Sequence, residues 1–234
     1  IDLCPVGALT SKPFRYRARS WELSDVPSVS LHDCVGANIN VEVRRNQVLR
    51  VLPRANDDVN EIWLADRDRF SYEALNSAER LTQPMIRSGG QWRETDWNTA
   101  FKVAVDGLRQ AIGKHGAAQL GALVAPTATL EEFFLMQKLV RGLGSGNVDH
   151  RLRRLDTRDD AELPRFPYLG LPIRELETVD TVLLVGSNIR KDQPLLGLKL
   201  RKAFLHGAAI YALNPVDYAF TFDLKAKVIT DPAA

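Results

Sequence analysis

The apolar and polar positions in the first third of the chain follow the period of β-strands. Residues 39–43 alternate between apolar and polar side chains, and residues 48–53 form a second apolar-rich run. Alternation with a period of two is typical of half-buried strands. Arg45-Asn46 between the runs predicts a hairpin turn, because Asn tolerates the left-handed backbone that tight hairpins need. We therefore predict a small, mainly β module at this end of the chain.

Other extended segments flank this hairpin. Residues 14–19 alternate apolar and basic side chains, which predicts a short half-buried strand. Residues 25–28 contain Asp, Pro and Ser and predict a linker. Further along, residues 80–87 and 91–93 are predicted to be extended, on either side of a Ser88-Gly89-Gly90 turn.

The spacing changes to that of helices after residue 95. Thr95 or Asp96 is expected to cap a helix that ends at Gly113 and turns an apolar stripe toward a core. Residues 129–132 form a capping box that begins a second helix. Residues 194–204 predict a third helix, which Pro194 opens. Helices of this length imply a second, larger layer of structure after the β module.

Short apolar runs separate these helices. Residues 120–125 and 181–185 have the composition of buried parallel strands, and the second run is expected to be covered on both faces. Further strands are predicted at residues 147–149, 208–213 and 227–229. Alternation of strands and helices predicts an α/β fold with a mostly parallel sheet flanked by helices on both faces.

Composition and charge narrow the classes of function. The 234 residues suffice for one large or two smaller domains, and 45% hydrophobic with 26% charged residues is ordinary for a globular protein. A net charge of +2 is too small to predict nucleic acid or lipid as a partner. No apolar run approaches the length of a membrane span. Residues 151–172, rich in Arg, Asp and Pro, predict a long surface loop.

Cys4-Pro5 is the feature that points to a cofactor. A Cys-Pro pair before a small apolar turn is typical of the last ligand of a ferredoxin-type cluster. Proline turns the chain away from the metal, and Gly7 lets the backbone bend close to it. A four-iron cluster needs four thiolates, whereas the chain has two cysteines and begins at Ile1. We expect Cys4 to be a metal ligand in a fragment whose other ligands lie upstream. The alternative is a lone cysteine that acts as a small hydrophobe.

Residues 32–34 form a second group of residue types that can bind metal, but their arrangement does not favour a metal site. Three adjacent residues of a strand cannot all face one ion, so His32-Asp33-Cys34 is not expected to form a metal site. Cys34 is predicted to pack as a small hydrophobe. The chain shows no nucleophile, acid–base pair or complete ligand set, so we predict no catalytic residue within it.

Several segments, taken in order, resemble one family. The chain is similar to the large iron–sulfur subunit (the G subunit in bacteria) of proton-pumping NADH:quinone oxidoreductase, respiratory complex I. Residues 80–87 and 92–97 look like the start of the molybdopterin-oxidoreductase fold that this subunit contains. The segments that carry the rest of the resemblance are Cys4-Pro-Val-Gly-Ala-Leu-Thr-Ser-Lys-Pro, Arg19-Ser-Trp-Glu-Leu, Val51-Leu-Pro-Arg, Val59-Asn-Glu and Asp66-Arg-Asp-Arg-Phe.

The resemblance implies a role for Cys4 and a division into domains. Cys4 would be the fourth thiolate of a [4Fe-4S] cluster in the full-length subunit, which the fragment alone would not bind. Residues 1–23 would end the ferredoxin-like cluster-binding region, residues 24–78 would be the small β module, and residues 79–234 would be a truncated molybdopterin-oxidoreductase-like α/β domain. The fragment would then supply one cluster ligand and a scaffold to an electron-transfer subunit of the oxidoreductase.

The β module departs from its relatives at the positions of a further cluster. In some members, and in molybdenum enzymes such as formate dehydrogenase, this module holds an extra iron–sulfur cluster. Ser30, Asp33, Ala37 and Ala65 stand here where the four cysteines would be, and Cys34 is one place out of register. Ser and Asp bind iron poorly beside thiolate and Ala does not bind it, so no cluster is expected in this module.

The sequence is also compatible with two other functions. Gly186-Ser187-Asn188 ends the best strand, where molybdenum enzymes of this fold approach their nucleotide cofactor. The alternative function is thus a catalytic, formate dehydrogenase-like molybdopterin enzyme. Because Gly and Asn are ordinary turn residues, we interpret the turn as a retained fold feature and expect no molybdopterin. A purely structural α/β module is the third possibility, which iron content would separate from the first.

The resemblance also implies partners and a location. The partners would be the other peripheral-arm subunits of complex I, including the NADH/flavin subunit, with no nucleic acid and no direct membrane insertion. The location would be peripheral, on the cytoplasmic face of the bacterial inner membrane or on the matrix side in a mitochondrion.

Overall fold

A computed structural model describes residues 1–151, 161–162 and 168–231. These residues fall into two compact units. The first unit contains residues 1–78 and 168–231, and the second contains residues 79–151 and 161–162. Residues 152–160 and 163–167 of the predicted surface loop lie outside the described part of the chain.

The β module of the first unit is a three-stranded antiparallel sheet. Strands β1 (Ser24–Val29), β2 (Asn38–Arg44) and β3 (Gln47–Pro53) lie in the order β1-β2-β3. Arg45 and Asn46 have φ values of 49° and 62°, so the predicted hairpin turn is confirmed. Helix α1 (Asp66–Phe70) follows, with short 3₁₀ turns at Ser20–Glu22 and Ser71–Asn76. The sheet packs a small core of Ile39, Val51 and Tyr72, with Val41, Val48 and Leu64 partly buried beside it.

Two predictions in this module are wrong. Residues 14–19 form turns instead of a strand, because the amide of Arg15 bonds to the Ser11 carbonyl and no neighbouring strand offers a ladder to them. The predicted linker at residues 25–28 lies within β1, whose residues are all exposed. Pro27 is compatible with β1 because an edge strand leaves one row of amides unpaired.

The second unit contains two small sheets and two helices. Strands β4 (Met85–Ser88) and β5 (Gln91–Glu94) form the predicted hairpin and precede helix α2 (Trp97–His115). Strand β6 (Gly121–Leu123), helix α3 (Leu130–Gly142) and strand β7 (Asn147–Asp149) follow, with β6 parallel to β7. The Asp96 cap of α2 and the capping box of α3 are both confirmed.

The predictions for α2 and β6 need correction in two respects. Helix α2 continues past Gly113 to His115 and ends before Gly116, whose φ is 87°. None of its residues is buried, and Trp97 and Phe101 of the apolar stripe contact each other with ring centroids 5.5 Å apart. Leu123 of β6 is likewise exposed. Spacing shows which side of an element is apolar, but only neighbouring layers bury it.

The parallel sheet of the first unit confirms the predicted α/β architecture. Strand β8 (Thr181–Val185), helix α4 (Ile189–Asp192), helix α5 (Pro194–Leu205) and strands β9 (Ala209–Asn214) and β10 (Ala226–Ile229) follow one another. All three strands are parallel, in the order β10-β9-β8. The main core lies on one face of this sheet and consists of Leu176, Leu184, Ile189, Leu200, Ile210, Ala212 and Phe222.

The expected burial of this sheet on both faces is wrong for the described residues. Leu184 is 7% exposed, whereas its neighbours Leu183 and Val185 are 61% and 62% exposed. Alternate side chains of a strand point to opposite faces, so one face packs on the core while the other stays open. None of the described helices combines the length and apolar character needed to cross a bilayer.

Candidate functional site

Cys4 lies in a tight loop that follows from its sequence. The amide of Cys4 donates to the Ile1 carbonyl at 3.2 Å, and Pro5 then diverts the chain. Gly7 has a φ of 66°, a left-handed conformation that favours glycine and curls the following residues back toward the sulfur. Arg69 of α1 donates to Asp2 at 3.1 Å, which ties this loop to the β module.

Backbone amides of this loop favour the charged form of the Cys4 sulfur. The amide of Leu9 lowers the pKa of the Cys4 thiol, and the amides of Ala8, Val6 and Gly7 add to this effect against desolvation. Hydrogen bonds to a thiolate stabilise its charged form, and the thiolate is the form that binds metal. Cys4 is half-buried and unbridged by a disulfide. This donor set fits a cluster ligand, because amide hydrogen bonds to sulfur are a means by which proteins tune iron–sulfur clusters.

The described residues supply this single ligand and no complete metal site. No group of three or more His, Cys, Asp or Glu side chains in the described residues has the geometry to hold a metal ion. A four-iron cluster at Cys4 therefore needs three further thiolates that these residues do not provide. The assignment of Cys4 as a ligand stays a prediction.

The four β-module positions at which the resemblance places cysteines lie beside or near helix α1 in different ways. The amide of Ser30 donates to the Ala37 carbonyl at 2.8 Å, and Ala65 is the residue from which α1 begins. The Ser30 hydroxyl donates to Asp68 of α1 at 2.6 Å. Arg67 of α1 donates to Asp33 at 2.7 Å. Ser30 and Asp33 are thus each paired with a polar side chain of α1.

This polar group is buried and not fully satisfied. Asp68 is 3% exposed, and its Oδ2 atom and the Nε atom of Arg67 have no hydrogen-bond partner in the structure. Burial raises the pKa of Asp68, and its hydrogen bond from Ser30 opposes the rise. Arg67 also donates to the backbone carbonyl of Asp192 in α4. The group therefore links the β module to the α/β part of the first unit.

His32, Asp33 and Cys34 each have different surroundings. The His32 ring bonds to the Ser71 hydroxyl at 2.6 Å, while Asp33 pairs with Arg67. Cys34 is exposed, so the prediction that it packs as a small hydrophobe is wrong. The turn that contains it places its side chain outside the module core, whereas the next residue, Val35, is buried.

The Gly186-Ser187-Asn188 turn uses its own amide donors within the fold. The amide of Gly186 donates to the Leu213 carbonyl at 2.9 Å, and that of Ser187 donates to the Asn214 side chain at 2.8 Å. The amide of Asn188 donates to Asp192 at 3.2 Å. A phosphate-binding turn points free amides at its ligand. With all three donors engaged, this turn does not fit a nucleotide phosphate.

The sequence did not predict an ion-pair network between two lysines of α5 and two glutamates. Lys199 of α5 is 4% exposed and pairs with both Glu61 and Glu177. Lys202 lies 2.6 Å from Glu61 and 2.9 Å from Glu177. Hydrogen bonds from Lys199 and then Lys202 lower the pKa of Glu61 to about 2. A lysine inside the leucine-rich helix α5 was the available signal, since buried lysines are almost always paired.

Family comparison defines the class of protein. Residues 80–230 match the family described as molybdopterin oxidoreductase, and the chain belongs to this family. Residues 23–73 match the family described as NADH-ubiquinone oxidoreductase NDSU1/NuoG-like, 4Fe-4S domain. The acetylene hydratase of Pelobacter acetylenicus shares the fold, with a TM-score of 0.56 over 81% of this chain and 27% of its own, at 13% identity.

Curated relatives confirm the particular resemblance. The NADH-ubiquinone oxidoreductase 75 kDa subunit of Reclinomonas americana is 35% identical over 93% of this chain and 33% of its own length. The G subunit of NADH-quinone oxidoreductase of Rickettsia felis is 37% identical over 86% of this chain and 29% of its own length. The mitochondrial NADH-ubiquinone oxidoreductase 78 kDa subunit of Candida albicans is 36% identical over 96% of this chain and 31% of its own length. The chain spans about a third of the length of these relatives.

Proposed function

We propose that the chain forms part of the iron–sulfur electron-transfer subunit of NADH:quinone oxidoreductase. In this function it supplies the Cys4 thiolate as one ligand of a [4Fe-4S] cluster and otherwise acts as a scaffold. Relatives named as the G subunit or as its mitochondrial counterparts support the proposal. The cluster, when bound, accepts and passes on single electrons. The residues of this chain would hold one of its ligands.

The tight Cys4-Pro5 loop, in which Gly7 has a φ of 66°, is the observation that carries this function, and the lowered pKa of the Cys4 thiol agrees with it. Four backbone N–H groups, those of Leu9, Ala8, Val6 and Gly7, favour the thiolate. A cysteine with a packing role has no need of a stabilised negative charge. The loop is therefore suited to metal ligation before any metal is present.

The family matches support the proposed division of the chain. We propose that residues 1–23 belong to the cluster-binding region, 24–78 to the β module and 79–234 to the α/β domain. The two family matches begin at residues 23 and 80. The scaffold function then falls mainly on the second and third segments.

The relatives also support a set of partners and a location. We propose that the protein assembles with other peripheral-arm subunits of complex I, among them the NADH/flavin subunit. Subunits of this complex act together at a membrane, so a peripheral position on its cytoplasmic or matrix side follows. The relatives' names support the complex, and the finer choice of neighbours rests on the resemblance.

The catalytic molybdopterin function has less support. The fold is shared with molybdopterin enzymes, but fold alone does not specify function. The turn at residues 186–188 engages its amides internally, and the β module lacks cysteines at the positions of the extra cluster. An enzyme of that class would need both a nucleotide cradle and an electron relay.

Substitution of Cys4 in the full-length subunit tests the electron-transfer function. Cys4→Ala is expected to remove one tetranuclear signal from the electron paramagnetic resonance spectrum and to lower NADH:quinone electron transfer, because one thiolate ligand is lost. The matched control is Cys34→Ala, which removes an exposed thiol from the same unit and should change neither measurement. Equal loss of the signal in both variants, or its retention in Cys4→Ala, would contradict the assignment.

A further inference from the structure

Five cationic side chains line one open groove of the N-terminal module. We call it the basic groove; its volume is about 920 Å³. The cations come from two separate places, the turn before β1 and the β2–β3 hairpin turn, which the fold brings together. The groove cations are Lys12, Arg15, Arg17, Arg44 and Arg45.

Most of these cations are unpaired. Arg44 lies 2.8 Å from Glu22, whereas within the described residues Lys12, Arg15, Arg17 and Arg45 form no ion pair. Glu73 is the single carboxylate that lines the groove among the described residues. The chain as a whole carries a net charge of only +2, whereas the groove is lined by five cations and one carboxylate among the described residues. Like charges that converge without partners create a positive potential that attracts an anionic ligand.

The contrast with nearby arginines shows that this is not a general property of the module. Arg50 pairs with Glu42, Arg67 with Asp33 and Arg69 with Asp2. These three arginines outside the groove are thus compensated, whereas four of the five groove cations form no ion pair within the described residues. A face that merely keeps the protein soluble would mix both signs of charge.

The surroundings of the cations suit a polypeptide. The half-buried Val48 and Leu49 supply apolar surface to the groove, and the edge of the buried Tyr72 lines its floor. Tyr16 does not line the groove but lies in sequence between its residues Arg15 and Arg17; it is 95% exposed, and the Arg15 guanidinium lies 5.5 Å from its ring centroid. Tyr and Arg are enriched in the centres of protein interfaces, where they provide most of the binding energy.

The backbone of Tyr16 adds a second observation. Its φ of 67° lies in the left-handed region, which is uncommon for a bulky residue outside glycine-rich turns. The conformation turns the ring outward while Arg15 and Arg17 on either side line the groove. Strained backbone of this kind concentrates at ligand-binding segments.

We propose that the basic groove binds an acidic segment of a partner protein, with carboxylates against the four unpaired cations and an apolar or aromatic side chain against Tyr16. The charge pattern would steer the encounter and set the register of the segment. This proposal does not depend on a cluster at Cys4, and either can fail without the other.

Binding of the 234-residue chain to fluorescein-labelled poly-L-glutamate tests the groove. Fluorescence anisotropy is measured with the wild type and with R15E/R17E/R45E, at low salt and at about 0.5 M NaCl. The matched control R54E/K102E/R109E makes the same change in net charge at exposed cations outside the groove. Circular dichroism checks folding, and if the groove variant does not fold, R15Q/R17Q/R45Q replaces it, with R54Q/K102Q/R109Q as the charge-matched control.

The expected result is a loss of affinity of at least about tenfold in the groove variant and less than about threefold in the control, with wild-type binding abolished at high salt. Equal losses in the two variants would overturn the proposal, since net charge alone would explain them. Tighter binding of a single-stranded oligonucleotide or of pyrophosphate than of poly-L-glutamate would also overturn it, in favour of a phosphate ligand.

Discussion

Leu183 and Leu184 are chemically identical neighbours in β8 with opposite surroundings. Leu184 packs into the main core beside Ile210 and Leu200, while Leu183 points away from it. Leu184→Ala is expected to lower the free energy of unfolding by about 2–5 kcal/mol, through lost burial and a residual cavity. Urea denaturation followed by circular dichroism measures this.

The control for that prediction lies one residue away. Leu183→Ala removes the same atoms from an exposed position and is expected to cost less than about 0.5 kcal/mol in this chain. Similar losses in both variants would mean that the second face of the sheet is also packed.

Asn188 and Asn214 form a second informative pair. Asn214 is buried and its side chain bonds to both the amide and the carbonyl of Ser187. Asn214→Ala is expected to cost about 1–3 kcal/mol, because it leaves buried backbone groups unpaired. Asn188→Ala is expected to cost less than about 0.5 kcal/mol, because its side chain caps nothing.

The readout that separates a turn from a ligand site is activity in the assembled enzyme. If the turn at residues 186–188 serves only the fold, Asn188→Ala leaves electron transfer intact. A loss of activity with unchanged thermal stability, together with molybdenum in the purified complex, would instead support the catalytic alternative.

Helix α5 is joined to the rest of the first unit through the pairs of Lys199 and Lys202 with Glu61 and Glu177. The pKa of Lys202 is raised although its burial alone would lower it, because its hydrogen bonds to Glu61 and Glu177 outweigh desolvation. Glu61→Gln is expected to destabilise the chain by about 1–3 kcal/mol at neutral pH, since a charged hydrogen-bond partner is lost. Exposed Glu175, changed to Gln, is the control.

The same network predicts a dependence on pH. The pKa of Glu61 falls from its ordinary value of 4.5 to about 2 in the folded protein. A depressed pKa contributes stability that is fully present above the unfolded value and is lost as pH falls toward the folded one. The difference in stability between wild type and Glu61→Gln should therefore narrow between pH 4.5 and pH 2. A stability difference that stays constant over this pH range would contradict the prediction.

The metal content of the whole chain follows from its ligands. Cys4 is the only cysteine in a ligand-like loop, and Ser30, Asp33, Ala37 and Ala65 replace the set in the β module. Anaerobic reconstitution of the 234-residue chain is expected to leave iron and acid-labile sulfide far below stoichiometric amounts. About four of each per chain would show that the described chain assembles a cluster by itself.

Several elements of the fold could be predicted from the sequence alone. The hairpin at Arg45-Asn46, the capping box of α3 and strands β8 to β10 were predicted close to their observed positions. The sequence also identified the Cys4-Pro5 loop as a candidate ligand site, although the ligand function of Cys4 stays a prediction. These features depend on neighbouring residues, through turn conformations, capping hydrogen bonds and hydrophobic period.

Other features depended on parts of the chain that are distant in sequence. The edge strand β1 exists because β2 offers it a ladder, and residues 14–19 lack such a partner. Arg67 meets Asp33, and Lys199 meets Glu61, across 34 and 138 residues. The basic groove likewise joins two turns whose separate sequences look like ordinary charged surface.

There is a physical reason why some features can be predicted from the sequence and others are visible only in the folded chain. Local sequence settles backbone conformation and which side of each strand or helix is apolar, because those choices involve interactions within a few residues. Burial and charge pairing are long-range and depend on which layers meet. That is why the apolar stripe of α2 and the outer face of β8 were expected to be buried and are exposed, and why only the folded chain revealed that Ser30 pairs with Asp68 and Asp33 with Arg67.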